Sequence, residues 1–311
     1  MESSFFVQNC RLNLSGDWPT IFTMTRYDLS SRPERVQTHE ADARSKPSGA
    51  KRIGGRARSP FISTGLQSVD DGMRGGFARE HMTMVAGRAQ VGATSLLLGA
   101  VLHALEQGLQ VAWYSDRLNA RQLTGRLILR ASEVNGYRIQ AGLMTDEEQF
   151  ALDKARESIG WERLLIHARR EVALKDVLNQ CIQDPPDLLV IDFRPQKSSA
   201  SGKSSYRAYE QGLKALAQRM QKCGAAAVVR EVLPRGNHAP DRIELPGLGS
   251  VVEHFESAVM IHRHTGENEA DDVDSSRAFA QIIRVQHRDI KTRSVPLRFD
   301  QRFAGLFDRE V

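Results

Sequence analysis

From Phe61 onward the chain alternates short apolar runs with stretches in which apolar residues recur every three or four positions. That alternation predicts a parallel sheet whose strands are joined by covering helices. Met82–Ala86 reads as a buried strand, and Thr94–Gln107 as a helix with Leu96, Leu97, Leu98, Val101, Leu102 and Leu105 on its inner side. Val111–Ser115 is the next strand and Arg121–Glu133 the next helix. Thr145 opens a further helix, in which Asp146 and Glu147 complement the positive end of the helix dipole. Strands at Leu164–His167, Leu188–Asp192, Ala225–Val229, Ser257–His262, Phe279–Gln286 and Val295–Phe299, with helices at Val172–Ile182 and Tyr206–Cys223, complete the pattern. Lys197–Ser205 (K-S-S-A-S-G-K-S-S) reads as a mobile loop by composition. The predicted fold class is α/β, a mainly parallel twisted sheet flanked by helices, with residues 61–311 as one continuous domain.

Residues 1–60 lack sustained periodicity and are expected to form an irregular N-terminal extension, with Phe5, Phe6, Val7, Trp18, Ile21 and Phe22 available for a small docked element. Within it, residues 43–59 carry Arg44, Lys46, Lys51, Arg52, Arg56 and Arg58, no acid, and several Gly, Ser and Pro. Such a stretch cannot bury a core and reads as a basic tether; a solubilising linker and a nucleic-acid contact both fit it. The net charge of +5 favours polyanionic partners without requiring them. No apolar run approaches the roughly 18 residues of a membrane span, and the N-terminus shows no secretory signal, so a soluble chain without a membrane partner is expected. Cys10, Cys181 and Cys223 are far apart and odd in number, which suits reduced thiols in a cytoplasm better than a disulfide framework or a zinc site.

The candidate chemistry begins at Gly87, where the sequence reads G-R-A-Q-V-G-A-T through Thr94. The phosphate-loop pattern G-x-x-x-x-G-K-[ST] needs glycines that turn backbone N–H groups toward phosphate, a lysine that reaches the outer phosphates, and a hydroxyl that holds magnesium. Gly87, Gly92 and Thr94 fit, Arg88 decorates the loop, Ser95 follows the hydroxyl, and Ala93 stands where the lysine belongs. A strand leading in and a helix leading out give the match its structural context. Asp192 closes the run L-L-V-I-D, and an acid at such a strand end holds magnesium opposite the loop hydroxyl in phosphate-loop proteins. Thr94 and Asp192 are therefore the expected magnesium pair for a bound ATP.

Several further segments share an order and spacing with a known family. They are I-S-T-G-L-Q-S-V-D at Ile62–Asp70 with G-G-F at Gly75–Phe77, Y-S-D-R-L-N-A-R-Q-L at Tyr114–Leu123, and L-K-A-L-A-Q at Leu213–Gln218. Gly249 and Ser250 precede E-S-A-V-M-I-H-R ending at Arg263, and Q-H-R at Gln286–Arg288 precedes L-R-F-D at Leu297–Asp300. In these segments the chain from about Phe61 to Phe307 resembles the C-terminal motor domain of DnaB-type replicative DNA helicases, which are RecA-like ATPases. The resemblance implies a RecA-like fold, ATP and magnesium as ligands, single-stranded DNA as a partner, and assembly into a ring or filament.

Departures from the family fall where ATP chemistry is done. The family's phosphate-loop lysine falls at Ala93, and its water-activating glutamate at Arg117, beside Asp116. Its γ-phosphate-sensing glutamine falls at Glu231, next to Arg230, and the lysine of its K-x-R pair at Gln286. The arginine of that pair, which reaches a neighbour's nucleotide, falls on Arg288 and is kept, as are Thr94, Ser95 and Asp192. Loss of a positioned general base forfeits about 10²–10⁴ in rate, and replacement by a cation repels the proton to be accepted.

The expected role is a helicase-like subunit in DNA replication or mobile-element maintenance, with weak or absent hydrolysis, bound to DNA or to an active helicase in a hetero-complex. Arg288 is then a candidate trans-acting finger for a competent neighbour. A divergent working helicase and a non-enzymatic RecA-like oligomeric scaffold are the two alternatives. Candidate DNA contacts are Lys197 and Lys203 in one loop and Arg235 and Arg242 in another, where ordinary surface loops fit equally well. His262 and His264, near Glu267 and Glu269, read as solvated surface rather than a metal site.

Overall fold

The computed structural model describes residues 59–168, 174–193, 202–233, 249–263, 277–284 and 293–309. Eighteen elements follow the chain: β1 Phe61–Ile62, α1 Gln67–Met73, β2 Phe77–Ala78, β3 Met82–Gly87, α2 Ala93–Glu106, β4 Val111–Ser115, α3 Ala120–Ser132, α4 Gly136–Ala141, α5 Asp146–Ser158, β5 Leu164–Ala168, α6 Leu174–Gln183, β6 Leu188–Asp192, α7 Gly202–Cys223, β7 Ala226–Val232, β8 Ser257–Arg263, β9 Arg277–Arg284, β10 Arg293–Asp300 and β11 Gly305–Asp308. A nine-stranded sheet runs in the order β11-β10-β9-β8-β3-β7-β6-β4-β5. The ladders from β8 through β5 are parallel, whereas β8 to β11 pair antiparallel. The expected mainly parallel sheet is present, with an antiparallel edge appended to it.

Successive residues of a strand point to opposite faces, and the core divides accordingly. Val85, Val111, Trp113, Leu188, Val190 and Val228 join the cluster built by α2, α3 and α5. Met84, Ala112, Tyr114, Leu189, Ile191 and Val229 join a second cluster with α6 and α7. Strands buried on both faces read as continuous apolar runs, which is why β6 and β7 carry so little polarity before their final residues. That division fixes where the strand-end side chains go, because Ser115, Asp192 and Arg230 share parity with the α2 and α3 face, and Glu231 with the α7 face.

Local signals explain most element boundaries. Asn119 and Gln122 form a capping box at the start of α3, and Thr145 and Glu148 form another at the start of α5. The short α1 is anchored by Asp70, which is 7% exposed and accepts from the Thr64 backbone N–H at 2.8 Å and the Thr64 hydroxyl at 2.7 Å. Pattern reading does not find α1, α4, β1, β2 or β11, all too short to show a period. One expectation is corrected. Residues 202–205 form the first turn of α7 rather than part of a loop. Small polar residues suit a helix start as well as a loop, so composition does not separate the two. The expectations for residues 1–58, 197, 235, 242, 264, 286 and 288 lie outside the described residues.

Candidate nucleotide site

The phosphate loop spans the gap between β3 and α2. Gly87 ends β3, and a Cβ there would come within 2.7 Å of Val91 Cγ2 and 3.0 Å of the Ile261 carbonyl oxygen. Gly92 caps α2 with φ of 108°, a left-handed conformation that only glycine adopts without strain. Gln90 has φ of 66° and completes the tight turn. No side chain caps α2 and no acid lies in its first turn, so the amides there face the loop with positive dipole uncompensated. Thr94 is half-buried in that turn, Ser95 is buried and Arg88 is half-buried on the loop. Ala93 is 2% exposed and packs with Val91 in the core, so its methyl is covered rather than turned to an open cradle.

Two strands away, Asp192 ends β6 with no exposed surface. Its Oδ1 accepts from Arg230 Nη1 at 2.9 Å and stands 3.1 Å from Arg117 Nε. Arg230 ends the buried part of β7 beside Val85 of β3, and its side chain is 10% exposed. Arg117 follows β4 in a turn shaped by the Ser115 hydroxyl, which accepts from the Arg117 and Leu118 backbone N–H groups at 3.2 Å each. Arg126 on α3 joins this group. Burial holds its guanidinium below the usual arginine range, repulsion from Arg230 adds to the effect, and Asp192 opposes it. Two guanidiniums thus engage one buried carboxylate, and Arg126 lies within electrostatic reach of it.

The residues therefore fit a phosphate cradle but not a divalent cation at Asp192. Magnesium bonds oxygen at about 2.0–2.1 Å, and two unit charges about 4 Å apart interact with about 4 kcal/mol at an effective dielectric of about 20. A doubly charged ion beside these guanidiniums is repelled by a multiple of that; both arginines engage Oδ1, and Oδ2, which makes no hydrogen bond, is the carboxylate atom left to it. Among the described residues no cluster of three or more His, Cys, Asp or Glu is arranged to hold a metal. His262 is half-buried rather than solvated, stacked on Phe279 with ring centroids 4.9 Å apart and 3.1 Å from Gln281 Oε1.

Glu231 is the neighbour of Arg230 but turns to the opposite face, where Tyr209 Oη on α7 donates to its Oε1 at 2.8 Å. The structure brings Arg117 to Asp192 and leaves Glu231 on the far side of the sheet from that pair. Asp116 meets Asp192 through the backbone, its N–H donating to the Asp192 carbonyl at 3.4 Å. Lys203 lies in the first turn of α7. Sequence reasoning missed Arg126 and the role of Arg230. Both carry a signal, a guanidinium inside an otherwise apolar run, in L-T-G-R-L-I-L and A-A-V-V-R.

Residues 62–308 match the family described as the DnaB-like helicase C terminal domain. The chain is 23% identical over 262 residues to the replicative DNA helicase DnaB of Geobacillus stearothermophilus, covering 80% of this chain and 57% of that protein. It is 25% identical over 214 residues to a probable plasmid replicative DNA helicase of Chlamydia muridarum, covering 65% of this chain and 47% of that one. The chain thus spans about half the length of these relatives. Among solved structures, a DnaB-like replicative helicase studied for its interactions with primase is similar in fold, with a TM-score of 0.68 and 17% identity over 82% of this chain and 65% of that one. The RadB recombinase gives a TM-score of 0.53 at 17% identity, over 80% of this chain and 100% of that one. No helix among the described residues is long and apolar enough to cross a membrane.

Proposed function

The chain belongs to the family of DnaB-like helicase C-terminal domains, and from that membership we propose that it serves DNA replication as a helicase-like subunit whose nucleotide site does not drive hydrolysis. The observation that carries this reading is the Arg117–Asp192–Arg230 cluster, which engages the expected magnesium carboxylate with two cations. Ala93 removes the loop cation, and Arg117 stands where the family places its general base. Hydrolysis by this site then lacks the phosphate-reaching charge, the base and the metal position together. The subunit acts through binding, to single-stranded DNA and to a hydrolysing helicase, in a homo-oligomer or a mixed ring. Arg288 supplies a trans-acting arginine to a competent neighbour in such a ring.

Phosphate release by the full chain, measured with and without single-stranded DNA, tests the reading. The expected result is no release above background, and none added by DNA. DNA-stimulated release abolished by Asp192→Ala overturns it in favour of a working divergent helicase. For the trans role, the full chain is mixed with an active replicative helicase. A change in that helicase's ATPase rate that Arg288→Ala removes is expected, and no change overturns the role. Oligomers without affinity for a labelled single strand at any salt concentration favour the scaffold instead.

A further inference from the structure

We infer that the cavity between α2, the end of α3 and the turn at residues 64–66 binds a small zwitterion of amino-acid size, with its carboxylate on Arg130 and its ammonium facing Glu106 and Glu133. The inference stands apart from the nucleotide site and uses none of its residues' chemistry.

The space is the first ground. The cavity measures about 290 Å³, at the lower edge of the roughly 300–1,000 Å³ found for small-molecule sites. Two glycines border it. Gly99 lies within α2, and a Cβ there would meet nothing within 4 Å, so no close approach of another segment requires a glycine at that position. Alanine is the better helix former, and the bare flank of α2 leaves open the volume that a larger side chain would fill. Gly65 turns the chain at the opposite wall with φ of 79°, and a Cβ there would come within 3.2 Å of His103 Cβ.

Charge sorted by depth is the second ground. Arg130 is the deep group: its side chain is 15% exposed, its guanidinium carbon lies 4.4 Å from the Phe307 ring centroid, and its Nε is buried without a hydrogen bond. Among the described residues its only ion pair is with Glu133, whose Oε1 is 3.5 Å from Nη1, long for a charged hydrogen bond. Burial holds the guanidinium below the usual arginine range, with Glu133 opposing that effect. A buried cation so loosely paired gains from a further anionic partner. The two acids stand at the mouth, Glu133 57% and Glu106 75% exposed. His103 steadies the Glu106 side, with Nδ1 3.6 Å from Glu106 Oε2 and Nε2 2.8 Å from Gln107 Nε2. A simple anion bound for Arg130 must pass two carboxylates, and a simple cation drawn to those carboxylates meets the guanidinium behind them. A molecule carrying both charges is complementary to all three groups.

The test is isothermal titration of the full chain with two zwitterions, glycine and 6-aminohexanoate, and with hexanoate and hexylammonium as single-charge matches of the longer one. One zwitterion at least is expected to bind, and to bind at least fivefold more tightly than either single-charge compound. No binding by both zwitterions overturns the inference, as does a single-charge compound that equals the better of them. Glu106→Gln changes an exposed group and is expected to reduce the preference for the zwitterion over hexanoate several-fold; an unchanged preference overturns the assignment of the ammonium. Gly99→Met, which fills the cavity without touching a charge, is expected to abolish binding with no fall in melting temperature. Undiminished binding by that variant places the ligand elsewhere and overturns the site. Arg130→Met keeps an apolar stem against Phe307 and is expected to weaken binding about tenfold or more, with circular dichroism checking the fold.

Discussion

Arg230 Nη1 donates to Asp192 Oδ1 across 2.9 Å, joining the last buried residues of two neighbouring parallel strands, β7 and β6. Both groups are nearly or wholly sealed from solvent, with side-chain exposures of 10% and 0%. A buried ion pair is weak evidence for net stability, but removing one partner leaves the other charge uncompensated. Arg117 shares the same carboxylate oxygen and softens that loss. Arg230→Ala is therefore expected to destabilise by about 1.5–3 kcal/mol, the worth of one hydrogen bond to a charged group. Urea denaturation followed by circular dichroism measures it. A double substitution that also removes Arg117 should cost more than the sum of the singles, because only then does Asp192 lose both bonded cations.

Under the proposed function, a lysine placed at position 93 is expected not to bring hydrolysis with it. In Ala93→Lys the new side chain enters a position that is 2% exposed and packed with Val91 in the core. The expected outcome is no gain in phosphate release and a loss of about 1–3 kcal/mol of stability from overpacking. Phosphate release and thermal unfolding of the same preparation check both halves. A large gain in turnover from this single change would show that Arg117 and the Asp192 cluster are no obstacle to hydrolysis.

Much of this arrangement is legible in the sequence, and the reason lies in period. The strands β3, β4 and β6 are continuous apolar runs ending on Gly87, Ser115 and Asp192, so their ends and the phosphate loop can be placed from residue type alone. α5 announces itself through Thr145 and Glu148, whose capping box needs only local sequence. What cannot be read is which strand ends become neighbours. The order β3-β7-β6-β4 brings Arg230 between Gly87 and Asp192, a relation between residues far apart in the chain. Parity on β7 decides the rest: a one-residue step separates Arg230, facing Asp192, from Glu231, facing Tyr209. Composition assigned 202–205 to a loop because Gly, Lys and Ser are equally at home in the first turn of a helix.

Glycines around the loop should divide by the space their missing side chains would need. An added Cβ at Gly87 meets the Ile261 carbonyl oxygen at 3.0 Å and Val91 Cγ2 at 2.7 Å, and backbone cannot yield cheaply. Gly92 combines a φ of 108° with contacts at 3.4 Å to Phe299 and Leu306. Gly99, inside α2, has nothing within 4 Å. Gly87→Ala and Gly92→Ala are each expected to destabilise by about 1–3 kcal/mol. Gly99→Ala is expected to stabilise by about 0.5–1 kcal/mol, since alanine loses less entropy in a helix. Thermal unfolding of the three variants decides it, and a common sign for all three would count against the loop geometry.

Acid sensitivity should arise in the β10–β11 hairpin. Asp300 is 7% exposed, and its carboxyl is held below its ordinary value of 3.8, chiefly by the hydrogen bond from the Arg302 guanidinium, with the Arg302 backbone N–H and Arg298 adding to it against an opposing burial effect. The Arg302 Nη2 to Oδ2 distance is 2.6 Å, and the Arg302 N–H reaches Oδ1 at 3.0 Å. A carboxyl with a depressed folded value contributes stability above its unfolded value and loses it as pH falls through the folded one. Wild type should therefore lose this contribution as pH drops from 3.8 downward. Asp300→Asn should be less stable at neutral pH yet show a shallower decline over that acid range. Melting temperatures of the two proteins across the range test this, and parallel curves would mean that Arg302 does not hold the carboxylate in solution.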